Sequence, residues 1–329
     1  MEITRIYMGD TKYNLMLYLI LFPKEIDNTF YIVGDELEDN LKDFKCLYLK
    51  EKKFKIRILN KLYRIFSNYE AKYFFRKNKF ETLPIYGLDH WIWNGYEKKY
   101  HEIFLIEDGT RNYNLEKEIK RFKNQSLGEK LRWKLYCKKP SFGLSDRVKK
   151  IYLTGIGEIP KEIEKKVEII NLYEKWNLLT EEEKNRIRKI FKVTEIDMEN
   201  IENCDGILIT QPLSEDGVLT EKEKIEIYGN ILKNYRDKKI LIKPHPREKT
   251  DYKKYFPHCE IIKGKFPFEL ILLNGKKLKK LITIFSTGVL IGKENIGIDF
   301  YGTEINEKIY KSFGSMEHIY KRNSYINKK

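Results

Sequence analysis

Residues 239–246 read Lys-Ile-Leu-Ile-Lys-Pro-His-Pro, and the fold class turns on that stretch. Ile240-Leu241-Ile242 is a short apolar run bounded by breakers, the pattern of a parallel strand covered on both faces. Pro244 and Pro246 have no N–H to give to a ladder, so the strand stops there. His245 is then held between two stiff residues at the carboxyl end of a strand, where open α/β sheets bind ligands, with the charge of Lys243 beside it. A plain loop histidine in a proline turn is the other reading of the same residues.

The same grammar recurs on either side. Apolar runs at Ile3–Met8, Phe30–Val33, Cys46–Leu49, Leu83–Tyr86 and Ile103–Ile106 end in Gly9-Asp10, Gly34-Asp35, Gly87 and Glu107-Asp108-Gly109. Strands spaced by helix-length segments predict βαβ units and a parallel sheet. Residues 115–150 are charged and irregular, so the interdomain linker is expected there. A second α/β unit is expected to begin at Ile151–Leu153, before Thr154-Gly155-Ile156-Gly157, and to take in Ile169-Ile170. It continues through Gly206–Ile209 before Thr210-Gln211-Pro212, then Cys259–Ile262, and Leu281–Phe285 before Ser286-Thr287-Gly288. Thr180 with Glu183 and Thr220 with Glu223 read as capping boxes. Pro267 opens a short helix that begins Phe268-Glu269-Leu270. The chain is therefore expected to be α/β, with Rossmann-like domains at 1–145 and 146–302 facing across a cleft and a helical tail at 303–329.

Composition narrows the function classes. No run of 18 apolar residues is present, so no membrane span is expected. Met1-Glu2-Ile3-Thr4-Arg5 lacks the order of a signal peptide, and Leu15–Phe22 reads as core helix, which points to a cytosolic protein. Cys46, Cys137, Cys204 and Cys259 are scattered without a CxxC, as buried thiols are, and no metal site is expected. The formal charge of +15 calls for an anionic partner, although the abundance of Lys, Ile, Asn and Tyr accounts for part of it. Basic residues occur along the whole chain without a nucleic-acid-binding motif, which speaks against DNA or RNA. Lys50–Lys79 has helical apolar spacing at Ile58, Leu62, Ile65, Phe66 and Tyr69. It reads either as a solvated surface helix or as one lying on anionic membrane with its aromatics turned inward.

Several strand-end residues could carry chemistry. Asp108 can take a proton from a hydroxyl, and Gly109 beside it permits close backbone approach, with Thr110 next; an ordinary Asp-Gly turn is the alternative. Ser286, Thr287 and Gly288, between a strand and a helix start, offer hydroxyls and N–H groups to a phosphate or simply cap the helix. His245 and Lys243 could meet a departing phosphate, and Glu269 could accept from ribose hydroxyls. There is no DxD at a strand end, no P-loop and no GxGxxG.

Taken in order, EDGT at 107–110, QP at 211–212, KPHP at 243–246, PFE at 267–269 and FSTG at 285–288 resemble the bacterial sialyltransferases. The likeness is to the lipooligosaccharide sialyltransferases of glycosyltransferase family 52. It implies a GT-B enzyme that uses CMP-sialic acid, inverts the anomeric centre and needs no metal or other cofactor. It implies an acceptor-side N-terminal domain and a donor-side C-terminal domain. By that likeness His245 acts on the CMP phosphate as acid or hydrogen-bond donor, Ser286 and Thr287 hold the phosphate, and Glu269 holds the ribose. Glu107, Gly109, Thr110, Gly155, Gln211, Pro212, Lys243, Pro246 and Gly288 complete the expected binding set. The base is Asp108 or Asp216. The family places an acid soon after the proline matching Pro212, but here Leu213 intervenes and the acids come at Glu215 and Asp216, which favours Asp108. The implied acceptor is a glycan or glycolipid, reached by an enzyme peripheral to the inner face of the bacterial inner membrane; a homodimer is compatible with this. A UDP-hexose or CMP-Kdo transferase on the same fold is the alternative.

Overall fold

The computed structural model describes residues 2–50, 55, 57–91, 93–124, 126, 128, 140–245, 247–264, 266–275, 278–286, 288–289, 296–316 and 326–328. They form two compact units, Met1–Ile190 and Phe191–Lys329.

The first unit is built on strands β1 (Arg5–Gly9), β2 (Thr29–Val33), β3 (Cys46–Tyr48), β4 (Ile85–Gly87), β5 (Ile103–Ile106), β6 (Val148–Leu153) and β7 (Val167–Ile169). They pair in parallel in the order β3-β2-β1-β4-β5-β6-β7. The direction of strand addition reverses between β1 and β4, which makes that junction the switch point where such sheets take ligands. Helix α1 (Lys12–Leu21) follows β1, capped by Thr11, whose side chain accepts from the Asn14 N–H. Its buried run Asn14–Ile20 is apolar around the helix apart from Asn14, as a core helix must be. A short α2 (Glu38–Leu41) precedes β3, and α3 (Arg57–Lys77) carries the chain from β3 to β4. Ala71 and Phe75 of α3 pack with Ile6, Ile32, Ile85, Trp93 and Tyr96. Helices α4 (Asn94–Tyr100), α5 (Glu116–Lys123), α6 (Leu172–Leu178) and α7 (Glu181–Ile190) complete the unit.

Two expectations are corrected here. Residues 148–153 and 167–169 do not open a second sheet; β6 pairs with β5, and β7 with β6, so the units divide after Ile190 rather than near 145. Nor is 115–150 a linker throughout. Leu115, Ile119, Phe142, Leu144 and Val148 pack in one cluster with Ile103, Leu105, Ile151 and Leu153. An apolar run announces a buried parallel strand, but nothing in it says which sheet the strand joins.

The second unit contains β8 (Gly206–Ile209), β9 (Ile240–Lys243), β10 (Glu260–Ile261), β11 (Lys280–Thr283), β12 (Gly297–Phe300) and β13 (Ile326–Lys328). Their order is β10-β9-β8-β11-β12-β13, again parallel, with the switch point between β8 and β11. The α-helices among its described residues are α8 (Glu195–Glu202), α9 (Glu221–Lys233), α10 (Tyr252–Tyr255), α11 (Phe268–Asn274) and α12 (Glu307–Phe313). Capping boxes at Thr194/Asp197 and Thr220/Glu223 start α8 and α9, each worth about 1 kcal/mol. Among the described residues of the expected tail, a short helical turn at Thr303–Ile305 and α12 are helical, whereas β13 joins the sheet beside β12. Leu208, Tyr228, Ile231, Ile240, Ile242, Tyr252 and Ile282 form the core that supports the end of β9. Among the described residues no helix is long and apolar enough to cross a membrane.

Candidate active site

At the switch point of the first unit, the ends of β1, β4 and β5 bring Asp10, Asp89, His90, Glu107 and Asp108 to one end of the sheet. Glu107 is fully buried and saturated. Tyr13 Oη donates to its Oε1 at 2.6 Å and Tyr113 Oη to its Oε2 at 2.5 Å. The Thr154 N–H donates to Oε2 at 2.6 Å, and Thr154 Oγ1 donates to Oε1 at 2.8 Å. Glu107, expected in the binding set, instead spends its oxygens on protein donors as the knot that joins α1, β5, the turn after β5 and the end of β6. Gly155 belongs to the same knot: its N–H donates to Tyr113 Oη at 2.9 Å, in the first unit rather than the second. Its φ of +79° suits glycine. Asn14 fastens α1 to the strand end, donating from Nδ2 to the carbonyls of Ile106 and Glu107 while accepting from Tyr7 Oη.

With Glu107 pointing inward, Asp108 lies one residue on and is partly exposed. Its N–H donates to Asn112 Oδ1 at 2.8 Å, and His90 Nε2 lies 3.3 Å from its Oδ2. Gly109, at φ +63° with open space around it, turns the chain into the short helical turn that holds Thr110. The His90 ring stacks on Phe142 at 4.4 Å. The buried Asp89 fixes that partner by accepting from the N–H groups of Phe142 (2.7 Å) and Gly143 (2.9 Å). Burial and the adjacent Asp108 raise the carboxyl of Asp10, against a lowering pull from His90. Two carboxylates and an imidazole in one pocket of charge can accept and hold a proton from a hydroxyl.

The second unit organises the end of β9 around Glu248, whose side chain is fully buried. Its Oε2 accepts from the His245 N–H (2.6 Å) and Thr210 Oγ1 (2.5 Å), and its Oε1 from Tyr252 Oη (2.5 Å). The Glu248 N–H returns a bond to the His245 carbonyl, closing the turn. The buried Lys224 ammonium contacts Glu215, Glu221 and Glu248 together. Burial alone would raise the Glu215 carboxyl, but the Lys249 N–H and Lys224 hold it at about 2. Gln211 donates its N–H to Tyr228 Oη, and the Pro212 carbonyl accepts from the Asp216 N–H.

His245 itself is half-buried. Its Nδ1 accepts from the Arg247 N–H at 3.2 Å, so the available proton sits on Nε2. Burial, then the Arg247 guanidinium, lower its pKa from the ordinary value. Both guanidinium nitrogens of Arg247 engage Asp216, at 2.5 and 3.1 Å. Lys243 turns inward: its ammonium donates to the Gly264 carbonyl and lies over the Phe266 ring. Ser286 donates its N–H to Thr283 Oγ1, and Thr283 ties that turn to β8 through the Ile209 carbonyl. Glu269 is in the first turn of α11, and Gly288 in a helical turn after Ser286. Pro246 and Thr287 lie outside the described residues.

The family model of glycosyltransferase family 52 matches residues 14–309, which includes every one of these strand ends except that of β1. The chain belongs to glycosyltransferase family 52. An uncharacterized protein of Haemophilus influenzae is 42% identical to this family 52 enzyme over 247 residues, 74% of this chain and 76% of the relative. Among solved structures, an α/β-galactoside α-2,3-sialyltransferase from Photobacterium phosphoreum is similar at a TM-score of 0.58 and 13% identity, covering 99% of this chain and 98% of that one. A calicheamicin glycosyltransferase is similar at a TM-score of 0.50 and 8% identity, over 98% and 84% of the two chains. These structural likenesses agree with the GT-B fold of two Rossmann-like units.

Sequence reasoning missed Asp10, His90, Glu248 and Lys224. Asp10 and Asp89-His90 follow strands and glycines as Glu107-Asp108 does, so a strand-end signal was present for them. Glu248 and Lys224 carried none.

Proposed function

We propose that this glycosyltransferase is an inverting, metal-independent sialyltransferase. It moves sialic acid from CMP-sialic acid to a terminal galactose hydroxyl of a surface glycan such as a lipooligosaccharide. The observation that carries the reading is the state of His245. With Nδ1 occupied by the Arg247 N–H, the ring cannot take a second proton without breaking that bond. Giving up the Nε2 proton would leave an imidazolate. His245 is therefore a hydrogen-bond donor to a leaving group that needs no proton. A phosphate monoester has its second pKa at about 6, so CMP departs as a dianion near neutral pH. One hydrogen bond from Nε2, with Ser286 after the end of β11 as a further phosphate ligand in this reading, suits a single phosphate.

Asp108 is the base in this reading. Its side chain is largely buried with one edge at the surface, the Asn112 bond fixes its backbone N–H, His90 lies beside its Oδ2, and Glu107 fixes the strand end beneath it. Asp216 is held by both arms of Arg247, which occupies the oxygens a hydroxyl would need. Glu269 binds the ribose of the donor. The inverting path needs one base and one stabilised leaving group, with attack on an oxocarbenium-like carbon.

The test is a donor panel of CMP-sialic acid, CMP-Kdo, UDP-glucose and UDP-galactose with a lactose-like acceptor, in the presence of EDTA. Transfer from CMP-sialic acid is expected, with inversion. Turnover only from a UDP-hexose, or only after Mg²⁺ is restored, would replace the reading with another donor chemistry on the same fold.

A further inference from the structure

We infer that α3 is a docking surface for an anionic lipid bilayer, through one face that the fold leaves exposed. This goes beyond the transfer reaction and does not rest on the identity of the donor. The helix has two opposite apolar faces. Ser67, Ala71 and Phe75 are buried, and Ala71 and Phe75 join the core cluster of the first unit. On the other side Leu59, Leu62, Phe66, Tyr69 and Tyr73 recur at spacings of three and four, which places them in one stripe. They are 39%, 46%, 67%, 67% and 67% exposed. A helix that served only to cover the sheet would carry polar residues there. Of the aromatic residues of α3, Phe74 and Phe75 pack on the core, while Phe66, Tyr69 and Tyr73 face outward.

Charge selects the occupant. Residues 50–79 contain eleven Lys and Arg against two acidic residues, the largest part of the net charge in a small part of the chain. Lys72 and Arg76 fall at helical positions along one edge of the stripe, and the Lys77 ammonium lies over the Tyr73 ring at the other. Apolar and aromatic residues in the middle with cations at the margins suit a helix lying in the plane of an anionic membrane surface. The side chains enter the headgroup boundary and the cations meet lipid phosphates. A nucleic acid would use the cations but leave Leu59, Leu62 and Phe66 without an apolar partner. A second copy of this chain would bring equal positive charge against them.

The test uses the full chain with vesicles of phosphatidylcholine alone and of phosphatidylcholine with phosphatidylglycerol, sedimented at low and high salt. Wild-type protein should bind the anionic vesicles, with weaker binding at high salt. Phe66→Ser/Tyr69→Ser and Lys72→Glu/Lys77→Glu should each lower the partition coefficient by at least about tenfold. Because these side chains are at the surface, the melting temperature and turnover on a soluble acceptor should stay at wild-type values. Equal binding to neutral vesicles, or vesicle binding unaffected by both double variants, would overturn the inference. So would a dimer in sedimentation velocity that Phe66→Ser/Tyr69→Ser converts to monomer while lipid binding persists. A salt-sensitive shift with duplex DNA stronger than vesicle binding would also overturn it.

Discussion

Each unit fixes its working strand end with one buried glutamate, but Glu107 and Glu248 do so by different means. Glu107 is held wholly by neutral donors: two tyrosine hydroxyls, a threonine hydroxyl and a backbone N–H. Glu248 also accepts from neutral donors, yet it shares the Lys224 cation with Glu215 and Glu221. In the first unit the negative charge itself organises the donors, so every one of them depends on it. In the second, the cation has other carboxylates to turn to, and a loss at Glu248 is shared. The comparison teaches that a buried carboxylate's importance depends on how many groups have no alternative acceptor.

The widest expected effect separates the two ends by function. Asp108→Asn should lower kcat by roughly 10²–10⁴ and leave CMP affinity unchanged. His245→Ala should lower kcat on a similar scale and also weaken CMP, as should Glu269→Ala. Initial rates and CMP calorimetry on each folded variant check this. Should Asp216→Asn abolish turnover while Asp108→Asn retains it, the base belongs to the second unit.

Next comes the glutamate comparison itself. Glu107→Gln puts an amide nitrogen where an oxygen accepts, so at least one of Tyr13, Tyr113 or the Thr154 N–H is left facing a donor. The expected loss is about 3 kcal/mol of stability. In Glu248→Gln the amide oxygen can still accept from His245 and Thr210, Tyr252 alone is left facing the amide nitrogen, and Lys224 keeps Glu215 and Glu221, so about 1 kcal/mol is expected. Urea unfolding of both variants measures the difference, and equal losses would break the distinction drawn above.

The smallest effect concerns protonation at His245. Burial and Arg247 hold its pKa below the ordinary 6.5, while Asp216 pulls it upward. Since the folded value is lowered, its contribution to folding is complete above about pH 6.5 and is lost as pH falls through the folded midpoint. Arg247→Ala removes the lowering cation and frees Asp216, so the midpoint should rise. Asp216→Asn should lower it further. Titration of the His245 ring protons by NMR reads both, and a wild-type midpoint above 6.5 would contradict the assigned tautomer.

What the sequence disclosed was local. Ile103–Ile106, Gly206–Ile209 and Ile240–Leu241–Ile242 declare themselves as buried strands, and the residues after them as strand ends, because apolar runs and breakers act within a few residues. Sheet membership was not legible, since β6 is told from a strand of the second unit only by its pairing with β5. The switch points were hidden for the same reason, and with them the meeting of Asp10, His90 and Asp108. Glu248 looked like one charge among many; its burial depends on Thr210, Lys224 and Tyr252, of which only Tyr252 is near in sequence. Glu107 and Asp108 could be seen as a pair, but which of them faces inward required Tyr13 and Thr154 in place.

The two sheets share one wiring, in which two strands are added to one side of the first and the rest to the other. No repeat of residues accompanies it. Right-handed crossovers restrict how parallel strands can be joined, so topology can outlast the letters that first encoded it. Two modules of one plan, each with its own knot at the strand ends, also give heredity two separate places to experiment. Changes in the loops after β1, β4 and β5 can alter one set of contacts while those after β8, β9 and β11 stay as they are, and the reverse holds equally.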